Sequence, residues 1–263
     1  GLGVVKSRRK ADDLIRAGRV CVNGKPVTDF STRVDIATDR IEIDGKLIPR
    51  PLKTRKEIYL AFNKPKGVIS SWSDERGRKC LADFFKDKKA LIAVGRLDRR
   101  SEGLMIITTD GKLANRLMHP RYQIPRKYEV LVSPPIADEI LSYILDGFNV
   151  APRLRKHYVV SSDREKPVRK EQAIFLFQPK DAKILEKRKD ATLLELTLVS
   201  GRYREIRRAM DALNLTVLRL KRTAYGPITL GSLKPGEVRA LTEKQVKALK
   251  ESTAISKYLD RSL

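Results

Sequence analysis

The chain places one carboxylate in an unusually basic stretch. Residues 95–104 read GRLDRRSEGL, and Asp98 has three arginines within two residues, Arg96, Arg99 and Arg100. Nearby cations favour the charged form of a carboxylate. An ionised carboxylate suits a nucleophile or a base better than a general acid. The alternative is a structural aspartate that pairs with a local arginine or with loop amides.

A second basic segment, residues 200–208, reads SGRYREIRR. The spacing of Ile206, Met210 and Leu213 predicts a helix that begins within it. Free backbone N–H groups at the basic start of a helix can bind a phosphate or a carboxylate. The alternative is a surface charge network, which the same spacing of charged residues would also give. The cations of this segment are Arg202, Arg204, Arg207 and Arg208.

A third segment combines an aromatic residue with two cations, in the order Arg126, Lys127 and Tyr128. A tyrosine beside cations can stack on a nucleobase. The alternative is a tyrosine that packs in the core of a strand.

A fourth cluster of cations surrounds a short helix near the start of the chain. Ala11, Leu14 and Ile15 recur at helical spacing, and Gly18 is expected to end the helix. Such clustering indicates a surface that grips phosphates, with a solvated helix face as the alternative. The cations are Lys6, Arg8, Arg9, Lys10, Arg16 and Arg19.

The composition points to a polyanionic partner. The 263 residues contain 56 Lys and Arg against 32 Asp and Glu, a formal net charge of +24. Nucleic acid is the default partner for such a charge. No apolar run approaches the ~18 residues of a membrane span, so no membrane partner is expected. Two cysteines and two separated histidines favour reduced thiols and no structural metal site.

These segments must be positioned by an α+β fold. We expect a small N-terminal α/β domain at 1–48 and a linker at 49–57 that holds two prolines and four cations. A mixed, mainly antiparallel sheet is expected to follow over 58–263. A strand is predicted within 34–43 and another at 68–71. Residues 157–190 are predicted to be largely an exposed insertion, apart from a strand-like segment at 173–177, and RNA contact or solvation of its cations are open alternatives.

Together the segments resemble the RNA pseudouridine synthases, specifically the RsuA-like enzymes that modify ribosomal RNA, with the large-subunit branch favoured. Residues 95–104 match the family pattern G-R-L-D-x-x-[ST]-x-G-L, followed by Asp110 and Gly111. Residues 126–128 and 201–208 match two later motifs, while 63–67 and 225–237 match the opening and closing segments. Residues 7–11 and 15–24 resemble the RNA-binding domain named after small-subunit ribosomal protein four. Two positions depart from the pattern: Thr109 replaces asparagine, and Glu205 replaces glutamine and adds a negative charge near the expected RNA.

The resemblance implies isomerisation of uridine to pseudouridine in RNA, without a cofactor or a metal. Asp98 would be the nucleophile, attacking the anomeric carbon or carbon 6 of the uracil. Tyr128 would stack on the uracil and Arg207 would pair with Asp98. The remaining candidates for RNA contact are Arg8, Arg9, Lys10, Arg16, Arg19, Arg96, Arg99, Arg100, Lys127, Arg202, Arg204 and Arg208.

The implied partner is ribosomal RNA or an assembling ribosomal subunit, bound by a monomer. The implied location is a bacterial cytoplasm or an organelle matrix. Two alternatives stay open at this point. One is a ribosome assembly factor with weak or no catalysis on the same fold, and the other is a general RNA or DNA binder.

Overall fold

The computed structural model describes residues 5, 8–49, 57–85, 90–151 and 174–254. Most of the predicted linker and the first part of the predicted insertion lie outside these ranges. The chain divides into two compact units, Gly1–Glu57 and Ile58–Leu263. Within the described residues, no helix has both the length and the apolar character needed to cross a membrane.

The N-terminal unit is one helix followed by a small antiparallel sheet. Asn23 and Gly24 have φ values of +52° and +79°, and this left-handed pair makes the tight hairpin turn that the sequence predicts. The elements are α1 (Arg8–Arg16), β1 (Val20–Val22), β2 (Lys25–Pro26), β3 (Ile41–Ile43) and β4 (Lys46–Leu47), with the strands in the order β2-β1-β3-β4.

The strand predicted within 34–43 is β3, which covers only the last three residues of that range. Aspartate side chains hold the preceding residues in turns. Asp39 accepts a hydrogen bond from the backbone N–H of Asp35 at 2.8 Å, and Asp35 accepts one from Ala37 at 2.9 Å. Such local bonds compete with strand pairing.

In the second unit the described residues form a nine-stranded sheet with seven strands in the order β11-β12-β8-β13-β7-β5-β15, while β6 pairs with β7 and β14 with β13. Only β7 and β13 pair in parallel, so the expected mixed, mainly antiparallel α+β fold is confirmed. The strands are β5 (Tyr59–Lys64), β6 (Ile92–Val94), β7 (Glu102–Thr108), β8 (Arg126–Ser133), β11 (Asp181–Lys187), β12 (Thr192–Leu198), β13 (Thr216–Tyr225), β14 (Ile228–Thr229) and β15 (Val238–Ala240).

Helices cover this sheet, and a separate two-stranded sheet packs beside it. The side chain of Asp110 caps the first of these helices by accepting a hydrogen bond from Leu113 N at 2.9 Å, which explains an aspartate before the helix. The elements are α2 (Gly111–Met118), α3 (Asp138–Asp146), α4 (Glu205–Ala212), α5 (Glu243–Glu251), β9 (Phe148–Val150) and β10 (Phe175–Phe177).

The parallel contact between β7 and β13 explains a glycine in the 95–104 motif. Gly103 lies opposite Arg222 with a φ of +108°. A Cβ at this position would overlap the backbone oxygen and nitrogen of Arg222. Only glycine therefore lets the strand after Asp98 approach β13 so closely.

Two further element predictions need correction. Residues 68–71 form no strand; Ile69 makes a single bridge to Cys80, and Ser70 bonds to the loop that carries Asp98 instead. The predicted insertion contains the seven-residue strand β11, which pairs with β12 through six residues and one irregularity between Ile184 and Glu186. This strand is charge-rich because it is at the sheet edge, where a solvent-facing side is tolerated.

Candidate active site

A cavity of about 900 Å³ opens in the second unit and contains the predicted reacting carboxylate. Its walls come from the loop between β6 and β7, the start of β8, the turn before α4 and the end of β13. Among the described residues, six arginines and two carboxylates line it. The arginines are Arg96, Arg126, Arg202, Arg204, Arg207 and Arg222, and the carboxylates are Asp98 and Glu205.

Asp98 is held on a braced loop. The backbone N–H of Leu97 donates to Ser70 Oγ at 3.1 Å, and Ser70 Oγ donates to the Leu97 carbonyl at 2.8 Å. On the other side, Gly67 N donates to the Arg99 carbonyl at 2.7 Å. The Asp98 side chain keeps 31% of its surface exposed, so a fixed backbone presents an accessible carboxylate to the cavity.

Two arginines from the α4 region approach Asp98. Arg204 Nη1 donates to Asp98 Oδ2 at 3.4 Å, and Arg207 Nε is 4.0 Å from the same oxygen. Within the described part of the chain, Oδ1 of Asp98 accepts no hydrogen bond. The carboxylate is therefore oriented through one oxygen and has its second oxygen available.

Three hydrogen bonds anchor the guanidinium group of Arg207. Its Nη1 donates to the Val217 carbonyl at 3.3 Å, and its Nη2 donates to the Arg100 carbonyl at 3.1 Å and to Ser101 Oγ at 3.4 Å. Burial, and then the charge of Arg204, lowers the pKa of Arg207, while Asp98 opposes this shift. The anchored guanidinium supplies a fixed positive charge beside the carboxylate.

Tyr128 is half-buried and lines the same cavity. It lies on β8 between Leu196 of β12 and Arg222 of β13, and its ring packs against two of the core clusters. The central strand position fixes an aromatic side chain within the cavity that holds Asp98. Three segments distant in sequence, the loop between β6 and β7, β8 and α4, thus bring Asp98, Tyr128 and Arg207 to one cavity.

The other predicted contacts near Asp98 separate into two groups. Arg96, Arg202 and Arg204 line the cavity, whereas Arg99 and Arg100 do not. Arg99 donates from Nε to the Gly67 carbonyl at 3.2 Å, which braces the loop.

Lys127 and Arg208 also lie outside the cavity wall. Lys127 follows Arg126 on β8 and therefore points to the opposite face of the sheet, where it pairs with Glu195 at 3.2 Å. The guanidinium carbon of Arg208 lies 4.5 Å from the centre of the Phe175 ring. The structure thus gives both residues packing or pairing contacts away from Asp98.

The N-terminal candidates lie on or next to α1. Arg9, Lys10, Arg16 and Arg19 are exposed, and Arg8 is the first residue of the helix. Arg19 pairs with Asp44 at 2.6 Å, and the Arg16 guanidinium lies 5.4 Å from the centre of the Phe30 ring. Lys6 lies outside the described residues.

Two buried arginines that the sequence did not mark as site residues also line the cavity. Arg222 is only 2% exposed and donates from Nε to the Leu104 carbonyl at 2.7 Å. Arg126 donates from Nη1 to the Ser200 carbonyl at 2.9 Å. Both guanidinium groups lie over the ring of Tyr225, at 5.2 Å for Arg126 and 5.1 Å for Arg222. The only sequence signal is that Arg126 begins the motif containing Tyr128.

Lys64 is fully buried beneath the site. Its Nζ donates to the carbonyls of Pro65 at 2.9 Å and Val68 at 2.7 Å. Burial lowers the pKa of Lys64 to about 8, while the charge of Asp98 opposes the shift. The sequence marks this lysine only as part of the opening segment at 63–67.

Glu205, the departure from the family pattern, is buried in the turn before α4. It accepts hydrogen bonds from Ser200 Oγ at 2.6 Å and from Arg202 N at 3.0 Å. The negative charge is therefore near the cavity, as expected, but both oxygens are bound within the turn. Its role in the structure is to hold that turn closed.

The described residues contain no group of three or more His, Cys, Asp or Glu side chains arranged to hold a metal ion. Cys21 and Cys80 are both free. The side chains that line the cavity supply carboxylates, tyrosine rings and guanidinium groups.

Comparisons with known proteins identify the family of this chain. Residues 58–212 match the family model described as RNA pseudouridylate synthase, and residues 2–41 match the S4 domain. Ribosomal large subunit pseudouridine synthase B of Bacillus subtilis is 36% identical over 94% of this chain and 91% of its own length. An uncharacterised RNA pseudouridine synthase of Aquifex aeolicus is 35% identical over 98% of this chain and 93% of its own.

A solved pseudouridylate synthase structure superposes with a TM-score of 0.60 at 25% identity, covering 92% of this chain and 94% of that one. The match extends through both units. The fold, the family model and the relatives all agree with the motifs read from the sequence. The chain belongs to the RNA pseudouridine synthase family, a family of RNA isomerases, and carries an S4 domain at its N-terminus.

Proposed function

We propose that the chain converts a specific uridine of ribosomal RNA to pseudouridine, with Asp98 as the nucleophile. The observation that carries this proposal is the cavity in which Arg204 and Arg207 approach Asp98 and which Tyr128 also lines. The family supplies the reaction class. The position of a single oriented carboxylate among arginines supports the residue assignment.

The reaction breaks the bond between the anomeric carbon and N1 of uracil and forms one from the same carbon to C5. N1 gains a proton and C5 loses one, so the product is an isomer of the substrate. Asp98 attacks the anomeric carbon or C6 of the ring, and its second oxygen is free to do so. Arg207 holds the orientation of the carboxylate.

Tyr128 stacks on the uracil while the ring turns. A uridine in structured RNA must leave its stack to reach Asp98, at a cost of roughly a few kcal/mol. The arginines at the cavity mouth supply the positive charge that attracts the flanking phosphates. Arg96 and Arg202 are exposed and are suited to this contact.

The N-terminal unit supplies additional affinity for RNA. We assign residues 1–48 to an RNA-binding domain, 49–57 to a linker and 58–263 to the catalytic domain. Exposed cations on α1 fit contacts to phosphates, which position RNA without reading its sequence. We further propose that the protein acts as a monomer.

The name of the Bacillus subtilis relative supports large-subunit ribosomal RNA as the substrate. The bacterial origin of both relatives supports a bacterial cytoplasm rather than an organelle matrix. The test is tritium release from 5-tritiated uridine in large-subunit and small-subunit ribosomal RNA, because C5 loses its hydrogen when it becomes the glycosidic carbon. Release from large-subunit RNA alone is expected.

Release from small-subunit RNA alone would contradict the substrate assignment. Absence of release from free RNA and from immature subunits, with RNA binding intact, would contradict the enzymatic function. That second outcome would favour an assembly factor that binds ribosomal RNA on the same fold.

A further inference from the structure

An exposed tyrosine is located at the mouth of the cavity. Tyr203 lines the cavity and yet has 61% of its surface exposed. Among the described residues it belongs to no core cluster, and no aromatic ring or cation stacks on it. A large aromatic side chain left in water beside a reactive site is available to a ligand.

The turn that carries Tyr203 is fixed from several sides. Arg126 bonds to the Ser200 carbonyl, and Glu205 accepts from Ser200 Oγ and Arg202 N. Arg204 adopts a left-handed φ of +49° and bonds to Asp98. The ring is therefore presented on an ordered backbone, so little additional order is needed when a ligand binds.

We propose that Tyr203 stacks on the nucleobase adjacent to the target uridine when that uridine enters the cavity. The proposal rests on the function proposed above. A uridine that leaves its stack exposes one face of the neighbouring base. Tyr203 is next in sequence to Arg204, which contacts Asp98, so its ring lies beside the entrance that the target base must use. Tyr128 already occupies the interior position and is suited to the uracil itself.

Stacking on an aromatic ring tolerates any base, because every base has a π-face. Tyr203 therefore contributes affinity and positioning without reading sequence. The contribution depends on the ring and not on the hydroxyl, which predicts that phenylalanine replaces tyrosine and alanine does not.

The first arm of the test measures kcat/KM by tritium release from ribosomal RNA. We expect Tyr203→Ala to lower kcat/KM roughly 10- to 100-fold and Tyr203→Phe to stay within about twofold of wild type. Tyr143→Ala is the matched control, because Tyr143 is 49% exposed on α3 and does not line the cavity. Equal kcat/KM for Tyr203→Ala and wild type would overturn the proposal.

The second arm detects stacking without turnover. Tyr203→Trp is made in the Asp98→Asn background, and indole emission is followed as RNA is added to saturation, with anisotropy reporting binding. Quenching is expected at position 203 and not in the Tyr143→Trp control, and Trp72 in the parent supplies the background. Unquenched emission from the RNA-bound Tyr203→Trp protein would overturn the proposal. Because this arm needs no catalysis, it separates failure of the stacking role from failure of the isomerase function.

Discussion

Around Asp98, arginines with similar sequence surroundings make different contacts. Arg204 and Arg207 approach Asp98 directly. Arg126 and Arg222 are buried, bond to backbone carbonyls and hold the cavity wall in shape. Arg207 makes both kinds of contact, since it also donates to the carbonyls of Val217 and Arg100. A guanidinium removed from water needs such local acceptors.

The buried Lys64 makes the stability of the protein depend on pH in a specific direction. Its pKa of about 8 in the folded state lies below the ordinary value of 10.5, so the unfolded chain binds this proton more tightly. The free energy of unfolding contributed by Lys64 therefore rises as the pH passes from about 8 to about 10.5.

We expect this contribution to add about 2 kcal/mol between about pH 7 and about pH 9.5. Urea unfolding of wild type and Lys64→Met across this range measures it, because the difference between the two proteins removes the other titrating groups. The wild type should gain stability relative to the variant as the pH rises. Parallel curves would contradict the assignment.

The candidate site residues that lie in motifs were predictable from the sequence. The burial of two other cations was not. Asp98, Tyr128 and Arg207 lie in patterns that the sequence displays, and the structure brings all three together. Arg222 and Lys64 lie in strands, where a cation is ordinarily interpreted as solvent-facing. Their burial depends on carbonyl acceptors contributed by other segments, such as Leu104 for Arg222, and sequence spacing does not reveal these partners.

At the scale of elements, the turn between β12 and α4 connects the sheet to the site. Glu205 closes this turn by accepting hydrogen bonds from Ser200 and Arg202. Glutamine retains one acceptor oxygen for the Arg202 N–H, and its amide can donate to Ser200 Oγ. The exchange of glutamine for glutamate in this chain is therefore compatible with the same turn.

We expect Glu205→Gln to keep kcat/KM for tritium release within about threefold of wild type, because both hydrogen bonds can be replaced. Glu205→Leu should lower kcat/KM by roughly tenfold or more, since it leaves the Arg202 N–H unsatisfied and frees the turn. Similar activity for the two variants would show that the turn does not depend on this side chain.

Elements were predictable where periodicity and turn residues agree, as in α4 and the hairpin at Asn23 and Gly24. Elements were missed where the structure of a segment depends on the segment that pairs with it. β11 is charge-rich on its solvent side and is a strand because β12 pairs with it. Residues 68–71 have strand-like composition, but their backbone makes only isolated hydrogen bonds to Lys79 and Leu81. The Ser70 side chain bonds to the loop around Asp98.

For the whole molecule, the net charge of +24 governs encounter with RNA. Cations on α1 and at the cavity mouth release counterions from phosphates when they bind. We expect affinity for ribosomal RNA to fall roughly 10²- to 10⁴-fold between 50 and 200 mM KCl, measured by filter binding. Asp98→Asn should show the same slope, because it removes no phosphate contact. A change of less than about tenfold would contradict electrostatic binding.

The most direct test of the account compares Asp98→Asn with Asp138→Asn by tritium release from 5-tritiated large-subunit ribosomal RNA. Asp138 is an exposed carboxylate on α3 that pairs with Lys187, so it controls for the chemical change alone. We predict that Asp98→Asn loses at least about 10³-fold in rate while binding RNA as wild type does, and that Asp138→Asn stays near wild type. Appreciable release by Asp98→Asn would contradict the central claim that this carboxylate is the nucleophile.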